Sequence, residues 1–336
     1  MGTTVVYEAV RAELAAAGEV PGLGSALGRL DSLQVRDGAH WIVARDGARV
    51  EAGRVSDDPG AVFGLRQGWL LPGEERVYAT PVPGGGLAVS GGDSVTVHEA
   101  DGAVRWTFPH RPWPGGAHGA CASDPSGTAL LAVVPPALET VRTEVLLNLD
   151  LATGTVLAAS EVPTCWGTYA FQQPLGPARG VFLDAAQGQD EAHALLATAT
   201  REGLAVEPVG GYDEPFTGSS LRSGAFLTLS VAGERLTRYD SPVRARTVAE
   251  AAEVLSDGLV FMGQPGFLDE ERVLAAVGED PWEEECRHLL LGAADLRPRA
   301  EVTYPPGIEV TARAVALGDG TWLTFDGDTV RRWRIG

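Results

Sequence analysis

Apolar residues along this chain come in short runs of about four to eight, broken by turns of Gly, Asp, Ser and Pro. Runs bounded in this way predict buried β-strands, and from about residue 80 onward they fall into one rhythm of strand, gap, strand, tight turn, strand. The fullest copy is ASDPSGTALLAVV followed by VLLNLDLATGTVLAAS. Its DPSG turn opens a strand over Thr128 to Val134, a second strand runs from Val145 to Asp150, and Ala152-Thr153-Gly154 turns into a third. Looser copies cover residues 86–108, 180–208, 224–245 and 267–304. A last copy, GDGTWLTFDGDTVRRWRI, ends at Ile335, and HWIVARDGARVEAGRV near residues 40–55 brings the number to seven.

Successive third turns lie roughly 40 to 55 residues apart, the period of a four-stranded propeller blade. A blade cannot bury both of its faces alone, so neighbours must stack and the ring must close. The pattern therefore predicts an all-β fold, a seven-bladed β-propeller over residues 31–336, with a short N-terminal extension over residues 1–30. The last copy ends after its third strand, so closure needs a strand from the other end of the chain, which Thr3 to Ala9 can supply. That segment reads equally as a helix, with Val6, Val10 and Leu14 on one face and Gly18 as a stop; Leu33 to Arg36 would then close the ring. A further helix is expected at Val248 to Leu255.

With these residues in view, DPSGTALLAVV and LNLDLATGTVLA resemble a bacterial WD40-type repeat. Asp124-Pro125-Ser126-Gly127 is similar to the Ser-Pro-Asp-Gly turn of that family, Leu149-Asp150 stands where its Trp-Asp pair ends the third strand, and His118 is similar to its Gly-His position. The resemblance implies a WD40-like propeller; it does not by itself give the function, because propellers serve binding and catalysis alike. DGAVRWTF also resembles quinoprotein-type propellers, without their repeated tryptophan signature or their length.

In a propeller, loops from the fourth strand of one blade to the first of the next share a face with loops between second and third strands. The short turns at Asp101-Gly102, Thr153-Gly154 and Glu202-Gly203 lie on the other face. On the long-loop face an aromatic recurs: Trp69; Trp113 beside His110 and Arg111; Trp166 beside Cys165; Tyr212 and Phe216 flanking Asp213 and Glu214; and Tyr304. Long second-to-third loops join them at residues 135–144, at 185–192, and in GEDPWEEECRH, where Trp282 stands among acids that include Glu283 and Glu284. These residues predict a recognition face, with Trp, Tyr, Phe, His and Arg as anchors and carboxylates for steering. Packing between blades and simple solvation offer an alternative account of the same residues.

Composition narrows the partner. Formal net charge is -19, and all 26 basic residues are Arg. Phosphate binding needs clustered cations, and no basic stripe exists, so nucleic acid and anionic membranes are not expected partners; a charged partner should be basic. Absence of Lys excludes Schiff-base chemistry and the Walker phosphate loop, and together with a single Asn it points to a GC-rich bacterial genome. MGTTVVYEAVRAELAAAG lacks the pattern of a secretory signal, and the scattered Cys121, Cys165 and Cys286 suit reduced thiols, so a cytoplasmic location is expected.

No catalytic set emerges. Cys286 and His288 beside Glu285 have metal-ligand chemistry but no second ligand pair, so no metal or other cofactor is expected. His110 or His118 could act as a general base, and Asp213-Glu214 or Glu283-Glu285 could be glycosidase acids, yet neither spacing specifies a site. No Gly-x-Ser-x-Gly elbow is present, and the glycines at Gly22 to Gly24 do not form a dinucleotide fingerprint. Two functions remain: an interaction module that holds a protein or peptide, or an enzyme or small-ligand binder at the central channel mouth, using His110, Arg111, Trp113 and Trp166.

Overall fold

A computed structural model describes residues 7–23, 33–71, 77–137, 143–163, 169–175, 180–187, 191–200, 203–211, 213–241, 244–256, 258–281 and 285–336. Its strands form five four-stranded sheets and one of eight strands. The first sheet holds β2 (Leu33–Arg36), β3 (Ala39–Asp46), β4 (Arg49–Val55) and β5 (Phe63–Leu70). The second holds β6 (Tyr78–Val82), β7 (Gly86–Ser90), β8 (Ser94–His98) and β9 (Val104–Pro109). In the third are β10 (Cys121–Ser123), β11 (Ala129–Val134), β12 (Glu144–Asp150) and β13 (Val156–Val162). The fourth has β14 (Tyr169–Gln172), β15 (Val181–Gln187), β16 (Glu191–Thr200) and β17 (Gly203–Pro208). The fifth has β18 (Phe216–Ser219), β19 (Phe226–Leu229), β20 (Arg235–Ser241) and β21 (Arg244–Glu250).

The eight-stranded sheet divides at β1 (Glu8–Glu19) into two further units. One is β22 (Val260–Phe267), β23 (Arg272–Gly278), β24 (Arg287–Gly292) and β25 (Pro298–Thr303); the other is β26 (Ala314–Ala316), β27 (Thr321–Asp326), β28 (Thr329–Ile335) and β1 itself. The first strands of neighbouring units pack side by side around one axis, as in a β-propeller. Burial follows the same geometry. Inner strands such as β6, β7 and β11 are buried at every residue, whereas the outer β9 and β13 mix exposed with half-buried positions.

Closure differs in detail from the sequence expectation. Ala12 to Glu19 of β1 pair antiparallel with β28, and Glu8 to Arg11 pair in parallel with Ala300 to Thr303 of β25. Among the described residues the closing strand is Glu8–Glu19, while Thr3 to Val6 lie outside them; β2 is the inner strand of the first sheet, and the helix expected from Val10 and Leu14 does not form. An unpaired β28 edge would present a row of backbone N–H and C=O groups, and satisfying that row outweighs the helix propensity of an Ala-rich segment. Leu14, which a helix would have buried, sits at a bulge and is 52% exposed, while Ala12 is 1% exposed. The helix expected at Val248 to Leu255 shrinks to one turn, Ala251–Val254 (α1), because Val248 to Glu250 complete β21.

Asp residues set many of the hairpins. Asp124 Oδ1 accepts the Thr128 and Ala129 N–H groups, Asp269 Oδ1 those of Glu271 and Arg272, and Asp319 Oδ1 that of Thr321, all between first and second strands. Asp101, Asp150 and Asp295 act likewise between third and fourth strands. A short carboxylate that accepts N–H groups two to five residues ahead is a good turn former, so part of the acidity is structural. No helix among the described residues is long and apolar enough to cross a membrane.

Candidate functional site

At the axis, the strand ends are tied across the ring. Arg36 is 1% exposed; its Nε donates to Thr80 Oγ1 at 2.7 Å and both Nη groups reach the Phe171 carbonyl at 3.4 Å. Gln173 accepts the Asp37 N–H at 3.0 Å through Oε1 and donates Nε2 to the Ser123 carbonyl at 2.7 Å, while its backbone N–H donates to Val35. Leu175 N–H donates to Ser219 Oγ at 2.7 Å. Residues Gln173 to Leu175 thus strap the first, third, fourth and fifth sheets together over the axis. Beside this strap lies a cavity of about 30 Å³, walled in part by Gln34, His40, Gln172, Thr217, Ser219 and Gln264. It has room for about one water, far below the few hundred Å³ of an organic-ligand site. Burial holds the His40 imidazole down at about 4, against the pull of Asp319, so the ring is neutral.

Between the second and third sheets, Pro109, Pro112 and Pro114 stiffen the loop that carries His110, Arg111 and Trp113. Backbone N–H groups of His110 and Trp113 donate to the Asp93 and Gly92 carbonyls, so the loop is pinned to the β7–β8 turn. Trp113 is not a surface anchor. It is 5% exposed and packs in the largest apolar cluster, 6.2 Å from the Tyr169 ring. Gly119 permits this seat, because a Cβ there would stand 2.1 Å from the Val133 carbonyl oxygen and 3.1 Å from the indole. His110 and His118 each donate Nδ1–H to a nearby backbone carbonyl, of Arg111 and Gly119, and Arg111 is exposed.

Trp69 and Phe216 are likewise interior, at 3% exposure each. Trp69 lies in β5 and donates its indole N–H to the Glu99 carbonyl of the next sheet. Phe216 stacks on Phe182 at 4.2 Å, within an aromatic ladder that continues through Phe226 to Tyr239. Beneath it, Asp184 accepts the Phe216 N–H, and burial raises its carboxyl to about 7. Glu214, considered above as a glycosidase acid, is 2% exposed; it accepts from Arg235 Nε at 2.6 Å, Gly211 N–H, Thr228 and Tyr239. Asp184 ties the fourth sheet to the fifth, and Glu214 braces the fifth sheet and the loop that leads into it.

His288 is buried, and Tyr304 is half-buried against the neighbouring apolar cluster. His288 Nε2 contacts the Thr311 carbonyl, which can only accept, so Nε2 carries the proton and Nδ1 accepts from Tyr304 Oη at 2.6 Å. Tyr304 in turn accepts the Trp322 indole N–H at 2.7 Å. Both imidazole nitrogens are engaged, and burial lowers His288 to about 4, which leaves no lone pair for a metal. Burial also pushes the Cys286 thiol up to about 11, so it stays protonated at neutral pH. Cys165, Trp166, Tyr212, Trp282, Glu283 and Glu284 lie outside the described residues.

A seam device escaped the sequence reading. In at least four of the units, a side chain on the third or fourth strand donates to carbonyls of the next unit's third-to-fourth turn. Trp106 reaches Leu151, Asn148 reaches Thr200, Arg238 reaches Ala293, and Arg332 reaches Ser56, Asp58 and Ala61. Trp106 also lies over Gly154, whose φ is +72° and where an added Cβ would stand 2.8 Å from the indole, so only glycine suits the position. The visible signal was a polar residue in an otherwise apolar strand, as at Asn148 in VLLNLD.

No family model matches the chain, and no curated protein matches it in sequence. Solved structures do resemble it. The WD40 domain of Neurospora crassa Pan2 is 11% identical, with a TM-score of 0.53 over 96% of this chain and 94% of that one. Prolyl oligopeptidase B of Galerina marginata, in its apo form, is 11% identical with a TM-score of 0.52; the match covers 90% of this chain and 49% of that one. At this identity the likeness shows the propeller fold and nothing finer.

Proposed function

We propose that this propeller is a protein-interaction module that holds a protein or peptide partner on its long-loop face. The observation that carries this reading is the tied axis: among the described residues, the Arg36 and Gln173 strap and the cavity of about 30 Å³ beside it offer little room for a substrate, which favours binding at the rims. On that face the contact residues are His110, Arg111, Trp166, Tyr212, Trp282, Glu283 and Glu284. Trp69, Trp113 and Phe216 support the face from within the core rather than touch the partner, and half-buried Tyr304 backs it through Trp322 and His288. The partner is basic, in keeping with the net charge of -19, and carboxylates steer it more than they bind it. The Asp-capped first hairpin at Asp124 supports the reading of WD40-like repeats, and a cytoplasmic location suits the free thiols Cys121 and Cys286.

The test is affinity recovery from host lysate, followed by titration with the purified partner. An Arg111→Ala, Trp282→Ala, Glu283→Ala variant that melts like wild type is expected to lose the partner. Equal affinity for that partner in both proteins would sink the reading.

A further inference from the structure

On the face opposite the long loops, the seam between the second and third sheets opens into a groove of about 700 Å³. Gly84 and Gly127 of the two first hairpins line it, together with Arg105, Asp150, Leu151 and Leu157. Leu157 is 39% exposed, and Val104, at the start of the neighbouring β9, is 59% exposed. Two large apolar side chains therefore stand in solvent at one seam. β13 is the last strand of its sheet, so half of its backbone N–H and C=O groups face away from β12.

Charge selects the occupant. Arg105 is the cation in the groove, and a two-pronged pair with Glu99, at 2.7 Å on each side, already answers it. Asp150 on the wall and exposed Asp101 in the turn before β9 leave the seam net negative. A second copy of this chain, at -19, would be repelled. A compact small molecule would leave much of so open a trough unfilled, whereas an extended chain could lie along it and pair with the free edge of β13.

We infer that this seam is a docking groove for an extended peptide segment of a partner protein, one that carries arginine or lysine beside an apolar residue. The apolar side chain packs on Leu157 and Val104, and the cation faces Asp150. This site lies on the face away from Arg111, so it stands or falls separately from the long-loop reading.

The probe is a fluorescein-labelled hexapeptide of alternating arginine and valine, followed by anisotropy, with glutamate-valine and arginine-glycine peptides as comparisons. Wild type should bind the arginine-valine peptide at least about tenfold tighter than either comparison, and more weakly as salt rises from about 50 to about 500 mM. Val104→Arg with Leu157→Arg places charge at two exposed positions, should leave the thermal midpoint unchanged, and should weaken binding at least about tenfold. Arg111→Ala with Trp282→Ala should bind as wild type does. No binding to wild type, equal binding of the arginine-glycine peptide, or undiminished binding to the double-arginine variant would each overturn the assignment.

Discussion

Arg332 shows what a single side chain contributes here. It is 0% exposed, and its guanidinium donates to Thr321 Oγ1, to Asp319 and to the carbonyls of Ser56, Asp58 and Ala61, which locks the seventh unit to the first. Removing one partner of such a network leaves buried acceptors and a carboxylate unanswered, a loss of about 3 to 5 kcal/mol. Arg332→Met should therefore lower the urea midpoint strongly. Its neighbour Arg331 makes an ion pair with Asp326, which is 62% exposed, so Arg331→Met should cost under about 1 kcal/mol. A reversed ranking in parallel urea titrations would refute this account of the seam. Similar logic explains why Trp69, Trp113 and Phe216 did not remain surface anchors: each apolar ring found a seam to fill, and burial of a large aromatic stabilises by a few kcal/mol.

At the scale of elements, β1 is the piece most dependent on its surroundings. It belongs to two units at once, parallel to β25 and then antiparallel to β28, and so fastens the ring at two edges. The strand and the alternative helix bury different residues, which makes the choice measurable. Ala12→Asp places a carboxylate at a 1% exposed position and should destabilise by more than about 3 kcal/mol, while Leu14→Asp, at a 52% exposed position, should stay within about 0.5 kcal/mol. Thermal unfolding of the two variants distinguishes the outcomes, since a helix with Leu14 inward would reverse them. The turns behave differently from β1, because an Asp with N–H groups two to five residues ahead needs no distant partner.

For the molecule as a whole, three buried titratable groups shape the pH dependence of stability. His40 and His288 fall from their ordinary 6.5 to about 4, chiefly through burial, so the unfolded chain takes up protons that the fold refuses. Their contribution is intact above about 6.5 and is lost as pH falls towards about 4. Asp184 works the other way. Burial raises it from 3.8 to about 7, so the fold holds a proton that the unfolded chain has released, and stability declines as pH rises through that window. Two histidines outweigh one carboxyl, so the balance of these three groups is a loss of stability as pH falls from about 6.5 towards 4. Asp184→Asn keeps an acceptor for the Phe216 N–H but removes the opposing titration. Its urea-derived stability should exceed that of wild type at pH 8 and fall more steeply on acidification; identical slopes would refute the assignment.

The sequence by itself determined the strands, the hairpin positions and the repeating four-strand rhythm. These rest on local rules: continuous apolar runs for inner strands, alternation for outer ones, and Asp or Gly where the chain must reverse, as at DPSG and LATG. It also placed Trp113, Phe216 and Tyr304 at junctions between units. Whether such a residue faces solvent or core was decided only in three dimensions, because that depends on what the next sheet brings against it, as Tyr169 does for Trp113 and Phe182 for Phe216. The tied axis was equally illegible. Arg36 and Phe171 stand 135 residues apart, and a contact between different sheets leaves no trace in the periodicity of either. β1 followed the same rule, since its Ala-rich pattern is compatible with helix or strand and the unpaired edge of β28 made the choice.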